Sequence, residues 1–305
     1  MLRNNNPSAL HASPLWKAAF FMALLASASL FAEGGERAYT VKDRFNLKMN
    51  DLQIAVDPES AFTLREIKVA GKPLLLSVGF GGFVMAYPEA KFIGSGHTEG
   101  GREAVESVTL KVDGKEIELP FGQTLDVIGE AVLTKSSRLN GDVVLHTELR
   151  LTPDVIEEKV RAEITGDAEV DYVYPFMYSW TPSTELWMAE TETGEVIEGA
   201  FDCGGDWELN KNVRWSSVYD PKDSIAASVV YSGDLPKGSF TKFWDLDRYH
   251  KQYFVLTQKK GNLPKGEVFE LSAKVHISRP ADETEWKNKT LKVMTDAAGQ
   301  PNSAK

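Results

Sequence analysis

The chain has 305 residues, with 34 Lys and Arg against 44 Asp and Glu and a net charge of −10 at pH 7. That balance excludes a nucleic-acid partner, because phosphate binding needs a basic stripe and none is present. Cys203 is the lone cysteine, so disulfides within the chain are excluded and stability must come from core packing.

The N-terminus carries Arg3 and Lys17 as its only Lys, Arg, Asp or Glu before Glu33, and residues 18–32 form an uncharged, mostly apolar run. This length suits a signal-peptide core and falls short of the roughly 20 residues a spanning helix needs. The pattern predicts a signal peptide over residues 1–32, cut after Ala28 or Ala32, and a secreted or periplasmic protein with no membrane span after cleavage. Losing that segment removes two cations and no acid, leaving a net charge of −12.

From Ala38 onward the dominant period is two. Residues 61–69, 105–112 and 115–119 alternate apolar and polar side chains, the signature of half-buried strands. Asp113-Gly114 joins the second and third of these and predicts a tight hairpin. Further strands are expected over Thr124–Leu133, Asp142–Leu151, Val155–Thr165, Val170–Tyr178, Val196–Phe201, Ile225–Tyr231, Gln252–Gln258 and Val268–Ser278. Asn140-Gly141, Thr152-Pro153-Asp154, Gly166-Asp167 and Ser232-Gly233-Asp234 supply turns between some of them. No segment of 12 or more residues shows a clean helical apolar stripe. The expectation is an all-β protein, an antiparallel sandwich or barrel. It forms one domain over residues 33–285, with a polar, fraying tail over 286–305.

Three stretches can carry chemistry. His97 lies in a glycine-dense loop, Gly94-Ser-Gly-His-Thr-Glu-Gly-Gly-Arg102; the glycines either admit a ligand close to the backbone or simply let a long loop turn. Residues 243–254 read Phe-Trp-Asp-Leu-Asp-Arg-Tyr-His-Lys-Gln-Tyr-Phe. There Tyr249 and His250 can move protons while Arg248 or Lys251 offsets a uronate carboxylate. Alternatively Phe243, Leu246, His250 and Tyr253, at helical spacing, pack as an amphipathic turn. The Trp-rich middle, with Tyr178, Trp180, Trp187, Trp207 and Trp215, offers rings for stacking on sugars or for a core, and two of these five are expected to reach solvent. The candidate catalytic residues are therefore His97, Arg102, Arg248, Tyr249 and His250. Tyr178, Trp180, Trp215, Trp244 and Glu267 are the candidate substrate-binding residues.

No zinc pattern, nucleophile elbow, phosphate loop or dinucleotide fingerprint is present. Asp245 and Asp247 lack the glycine turn and terminal Glu of a calcium loop. No cofactor and no metal are expected, and Cys203 reads as an incidental small residue. His146 and His276 sit inside alternating strands and read as ordinary strand residues.

The segment 261–277 contains the turn Pro264-Lys265-Gly266-Glu267 ahead of a long alternating strand, and Tyr174-Pro175-Phe176-Met177-Tyr178 follows a mid-chain strand. Both resemble features of galactose-mutarotase-like supersandwich domains. That resemblance implies a supersandwich and a carbohydrate partner, and places a catalytic acid near Glu267. The epimerases of that superfamily carry a His-Pro-Tyr-Phe-Asn type segment, whereas the matching stretch here begins with Tyr174 and has no His, so simple sugar epimerisation is not expected. A polysaccharide lyase or glycoside hydrolase stands beside a non-catalytic sugar-binding or envelope protein of the same fold.

Overall fold

Period-two patterning becomes two large sheets in the computed structural model, which describes residues 39–298 except 79, 80, 90, 96, 98, 233–237 and 257–260. The expected signal peptide lies outside the described residues. A nine-stranded sheet runs in the spatial order Trp207–Lys211, Phe240–Asp245, His250–Val255, Phe176–Trp180, Lys72–Leu75, Thr63–Val69, Leu52–Asp57, Phe45–Met49 and Thr124–Asp126. A ten-stranded sheet runs Val196–Ala200, Leu186–Thr191, Val213–Asp220, Ile225–Ser232, Val268–Ser278, Val155–Ile164, Val143–Thr152, Ala131–Leu139, Ala104–Val112 and Lys115–Ile117. The pairings within both sheets are antiparallel except where Phe45–Met49 meets Thr124–Asp126 in parallel. The described residues form one compact unit, the all-β antiparallel sandwich that the alternation predicts.

The tight turns follow their residue types. Asp113 and Gly114 have φ of +49° and +76°, and Asn140 and Gly141 have +48° and +77°. This double positive-φ geometry matches the twist of a two-residue hairpin. Two expected strands are divided. The segment from Thr124 to Leu133 is cut because the chain leaves the nine-stranded sheet at Asp126 and enters the ten-stranded one at Ala131. Val170–Tyr178 becomes parts of three short strands, Ala168–Val170, Tyr172–Tyr174 and Phe176–Trp180, each in a different sheet. Tyr172–Tyr174 pairs with Val84–Tyr87, which pairs with Lys91–Gly94, in a three-stranded sheet.

Between the large sheets lies one hydrophobic core that also holds bonded polar groups. The Tyr178 hydroxyl donates to Glu158 Oε1 at 2.8 Å. Gln252 Nε2 donates to Ser216 Oγ at 2.8 Å and to the Tyr231 hydroxyl at 2.9 Å, and Gln252 Oε1 accepts from Trp180 Nε1 at 2.8 Å. Buried polar atoms without such partners would each cost about 1–3 kcal/mol, so these bonds help fix the register of one sheet on the other.

The tail expected to fray instead forms the helix Glu283–Ala298. Trp286, Thr290 and Met294 recur at i, i+4 and i+8 and are buried, a face that packs on the outer side of the ten-stranded sheet. The Trp286 ring stacks on Tyr219 with centroids 5.2 Å apart, and its Nε1 donates to Ser217 Oγ at 2.9 Å. Asp282 caps the helix start, its Oδ1 accepting from Glu285 N at 2.8 Å.

Candidate functional site

Alternation along a strand decides which side chains face the core and which face out. In the strand His250–Val255, His250, Gln252 and Phe254 face the core, so Lys251 and Tyr253 occupy the outer face of the nine-stranded sheet. In Phe240–Asp245, Thr241, Phe243 and Asp245 point in, and Lys242 and Trp244 point out. The stretch 243–254 is therefore a hairpin, and the helical spacing that the sequence also allowed is not used.

A continuous ladder of rings runs over this outer face and onto the neighbouring three-stranded sheet. His97 lies 5.2 Å from Phe92, Phe92 6.3 Å from Tyr174, Tyr174 5.5 Å from Tyr253, Tyr253 6.1 Å from Trp207, and Trp207 5.5 Å from Trp244 in a stacked pair. Tyr172 stacks on Tyr174 at 5.7 Å. Trp207 is 49% exposed, and Lys242 Nζ sits 4.6 Å from its ring centroid, a cation–π contact. Trp244 Nε1 donates to the Gly205 carbonyl at 3.0 Å, which fixes the indole plane.

Basic groups gather below and at one end of the ladder. Lys251 is buried, with Nζ 3.1 Å from Ser179 Oγ and 5.6 and 6.0 Å from the ring centroids of Tyr253 and Tyr249. Burial, then the charge of Arg65, drives the Lys251 amine well below its usual range. Arg65 itself lies 3.7 Å from Asp57. The His97 loop is pinned by an isolated bridge to Gly94, whose φ is +153° and where a Cβ would collide with the Phe83 carbonyl oxygen. His97 Nδ1 lies 3.0 Å from Glu99 Oε2. This pairing assigns the proton to Nδ1 and the lone pair to Nε2. Burial lowers the His97 pKa, the Glu99 carboxylate opposes that, and Lys251 and Arg65 push it down further. Burial also raises the hydroxyls of Tyr174, Tyr253 and Tyr249, so they remain donors.

The residues singled out in the sequence are dispersed. His97, Tyr249 and Trp244 border the ladder. His250 faces the opposite way: it is buried between the sheets, stacks on Phe201 at 4.0 Å, and lies 2.7 Å from Asp245. Arg102 and Arg248 are exposed, on a loop and at the hairpin tip. Tyr178 and Trp180 are buried core residues bonded to Glu158 and Gln252. Trp215 is buried under the C-terminal helix with its Nε1 on Glu190. Of the five rings in the Trp-rich middle, Trp207 alone is exposed, not two. Glu267 sits in the turn before Val268–Ser278, its carbonyl accepting from Ile164 N at 2.9 Å, away from the ladder. Phe92, Tyr172, Tyr174, Tyr253 and Arg65 were missed, while Lys251, read as a cation for a uronate, does lie beside the ladder. For Lys251 and Tyr253 the signal was available: reading 250–255 at period two places them together, opposite His250.

A cavity of about 260 Å³ lined by Asn50, Asp51, Pro153, Asp154 and Arg279 lies elsewhere and holds no aromatic ring. No helix among the described residues is long and apolar enough to cross a membrane.

No family model matches the chain, and no curated protein matches it. Solved structures do. The Slr1438 protein of Synechocystis sp. PCC 6803 is 10% identical with a TM-score of 0.51, covering 81% of this chain and 100% of that one. The galactosidase domain of an alpha-galactosidase-sucrose kinase is also 10% identical, with a TM-score of 0.52 over 79% of this chain and 41% of that one, so this chain spans under half of it. A putative aldose 1-epimerase of Escherichia coli K12 is 11% identical with a TM-score of 0.45, covering 77% and 99%. Identities near 10% speak for the fold alone, and the fold shared with the first two is an antiparallel β-sandwich.

Proposed function

We propose that this protein recognises a carbohydrate on the outer face of its nine-stranded sheet. The observation that carries the reading is the ring ladder from His97 to Trp244, which leaves Trp207 half exposed with Lys242 against it. Sugars present C–H faces that stack on such rings, and Tyr and Trp add polar edges that bond hydroxyls. The likeness in fold to a galactosidase domain lends support. Export with cleavage after Ala28 or Ala32 is part of the reading, supported by the uncharged run over residues 18–32; a mature chain still beginning at Met1 would overturn it.

Acid–base chemistry on the bound sugar is a second reading, favoured by one observation. His97 is held by Glu99 as a base is held by its orienting carboxylate, and both His97 and Lys251 are shifted toward neutrality. Among the described residues Glu99 is the carboxylate hydrogen-bonded to the ladder. Glycoside hydrolysis needs two carboxylates flanking the bond, so proton abstraction beside a uronate suits this set better than hydrolysis. Lys251 is only 2% exposed, which places binding ahead of catalysis. Calorimetric titration with a panel of neutral and uronate oligosaccharides tests both, with absorbance read for unsaturated uronates. Saturable binding without turnover supports recognition, and turnover of a uronate supports the second reading. Failure of every saccharide to bind would remove both.

A further inference from the structure

At the edge of the sheet, where the loop 201–206 meets the hairpin 245–250, a second group of side chains converges. Cys203 Sγ, an Asp245 carboxylate oxygen and a His250 ring nitrogen lie within 4.8 Å of one another, and oxygens of Asp202, Glu208 and Asp245 do so as well. Asp245 is held by its Oδ2, which accepts from the backbone N–H groups of Asp202 and Cys203, both at 2.8 Å. His250 Nε2 lies 3.4 Å from the Pro182 carbonyl, and its Nδ1 points at Asp245. The Nδ1 atom lies 2.7 Å from Asp245 Oδ1, yet the two are misaligned for a hydrogen bond and neither has another hydrogen-bond partner among the described residues.

Both side chains are fully buried, and a carboxylate oxygen and a ring nitrogen left there without an aligned hydrogen bond are costly unless a positive charge bridges them. The surroundings supply no such charge. Asp202, Asp206, Glu208, Asp245 and Asp247 crowd the spot, and among the described residues none is ion-paired to a Lys or Arg. Cys203 holds φ of +61° beside Gly204 and Gly205. Glycine would take that conformation more cheaply, so keeping a thiol there has a cost that a role for its sulfur would offset.

We infer that Cys203, Asp245 and His250, completed by Asp202 or Glu208, form a site for a divalent cation of the zinc class. Sulfur, imidazole nitrogen and carboxylate oxygen together match zinc, whereas magnesium and calcium take oxygen donors. Binding replaces the thiol proton, which leaves to solvent, with a sulfur–metal bond. Tetrahedral coordination requires the Nδ1–Oδ1 separation to open from 2.7 Å to about 3.3 Å. The cation would clamp the loop whose Gly205 carbonyl holds Trp244 and whose next strand starts with Trp207. This goes beyond the carbohydrate reading and does not depend on it.

The test uses the full chain, freed of metal and titrated with Co²⁺ and then Zn²⁺. One equivalent of Zn²⁺ by elemental analysis is expected, with a near-ultraviolet thiolate-to-cobalt band. Cys203→Ser should lose the band and weaken Zn²⁺ by more than about 100-fold, beyond what loss of an outer-shell partner does. Cys203 is exposed, so this variant keeps its fold, and circular dichroism verifies that. His250→Gln, a second probe, should also lose the Co²⁺ band. Folded protein that binds no Zn²⁺, or Zn²⁺ binding unchanged in Cys203→Ser, overturns the assignment. Neither outcome touches the saccharide titration, which is read on metal-free protein as well.

Discussion

The two large sheets carry similar aromatic residues on their outer faces and treat them differently. On the ten-stranded sheet Trp215 and Tyr219 lie under the helix Glu283–Ala298, packed with Trp286 and Met294, and all four are buried. Trp207, Trp244 and Tyr253 on the nine-stranded sheet, with Tyr174 on the adjoining three-stranded sheet, are covered by no helix among the described residues and remain exposed or half-buried. A ring under a helix contributes to folding. A ring on an uncovered face with a Lys against it contributes little to folding, and we read it as a surface for a ligand.

Breaking the covered face should produce the largest effect. Trp286→Ala removes the stacked partner of Tyr219 and the donor to Ser217, at a cost of about 3–5 kcal/mol, read as a lowered midpoint in denaturant unfolding. Ligand affinity should not change while the protein stays folded. On the uncovered face, Trp207→Ala should do the reverse. It should leave stability within about 1 kcal/mol and weaken saccharide binding by about 2 kcal/mol, roughly 30-fold, as loss of a central Trp anchor does.

Lys251 sharpens the comparison through pH. Its folded pKa lies below the ordinary Lys value because burial, then Arg65, disfavours the charged amine. The unfolded chain therefore binds the extra proton between the folded and unfolded pKa values. Stability rises with pH across that window, by up to about 1.4 kcal/mol per pH unit. Unfolding titrations at rising pH should show this slope in the native protein and a shallower one in Lys251→Met, which should also be more stable at neutral pH. The smallest effect belongs to Glu99→Gln. The Glu99 carboxylate supports the His97 proton against burial, so the imidazole pKa, followed by NMR, should fall further. The shift should be modest because Glu99 is 42% exposed.

Fold class was legible because alternation is local: strands such as Val143–Thr152 and the hairpin at Asp113-Gly114 announce themselves within a few residues. The C-terminal helix was misread as a fraying tail: Asp282 ahead of Glu285, with Trp286, Thr290 and Met294 on one face, carried its signal, but the polar composition hid so narrow a stripe. The site was less so. Whether Trp180 or Trp207 reaches water depends on which partner strand lies beside it, and that pairing joins residues far apart in sequence. Tyr249 and His250 are adjacent, but a strand sends neighbours to opposite faces, and this separated them. Phe92, Tyr174 and Tyr253 meet only because a three-stranded sheet abuts the large one.

The central claim is that the uncovered ring ladder is the carbohydrate surface, and fluorine NMR on protein labelled with 5-fluorotryptophan tests it most directly. Adding a saccharide that binds should shift the resonances of Trp207 and Trp244 and leave those of Trp180, Trp187, Trp215 and Trp286 in place. Binding that moves the buried set while Trp207 and Trp244 stay unmoved would contradict the account.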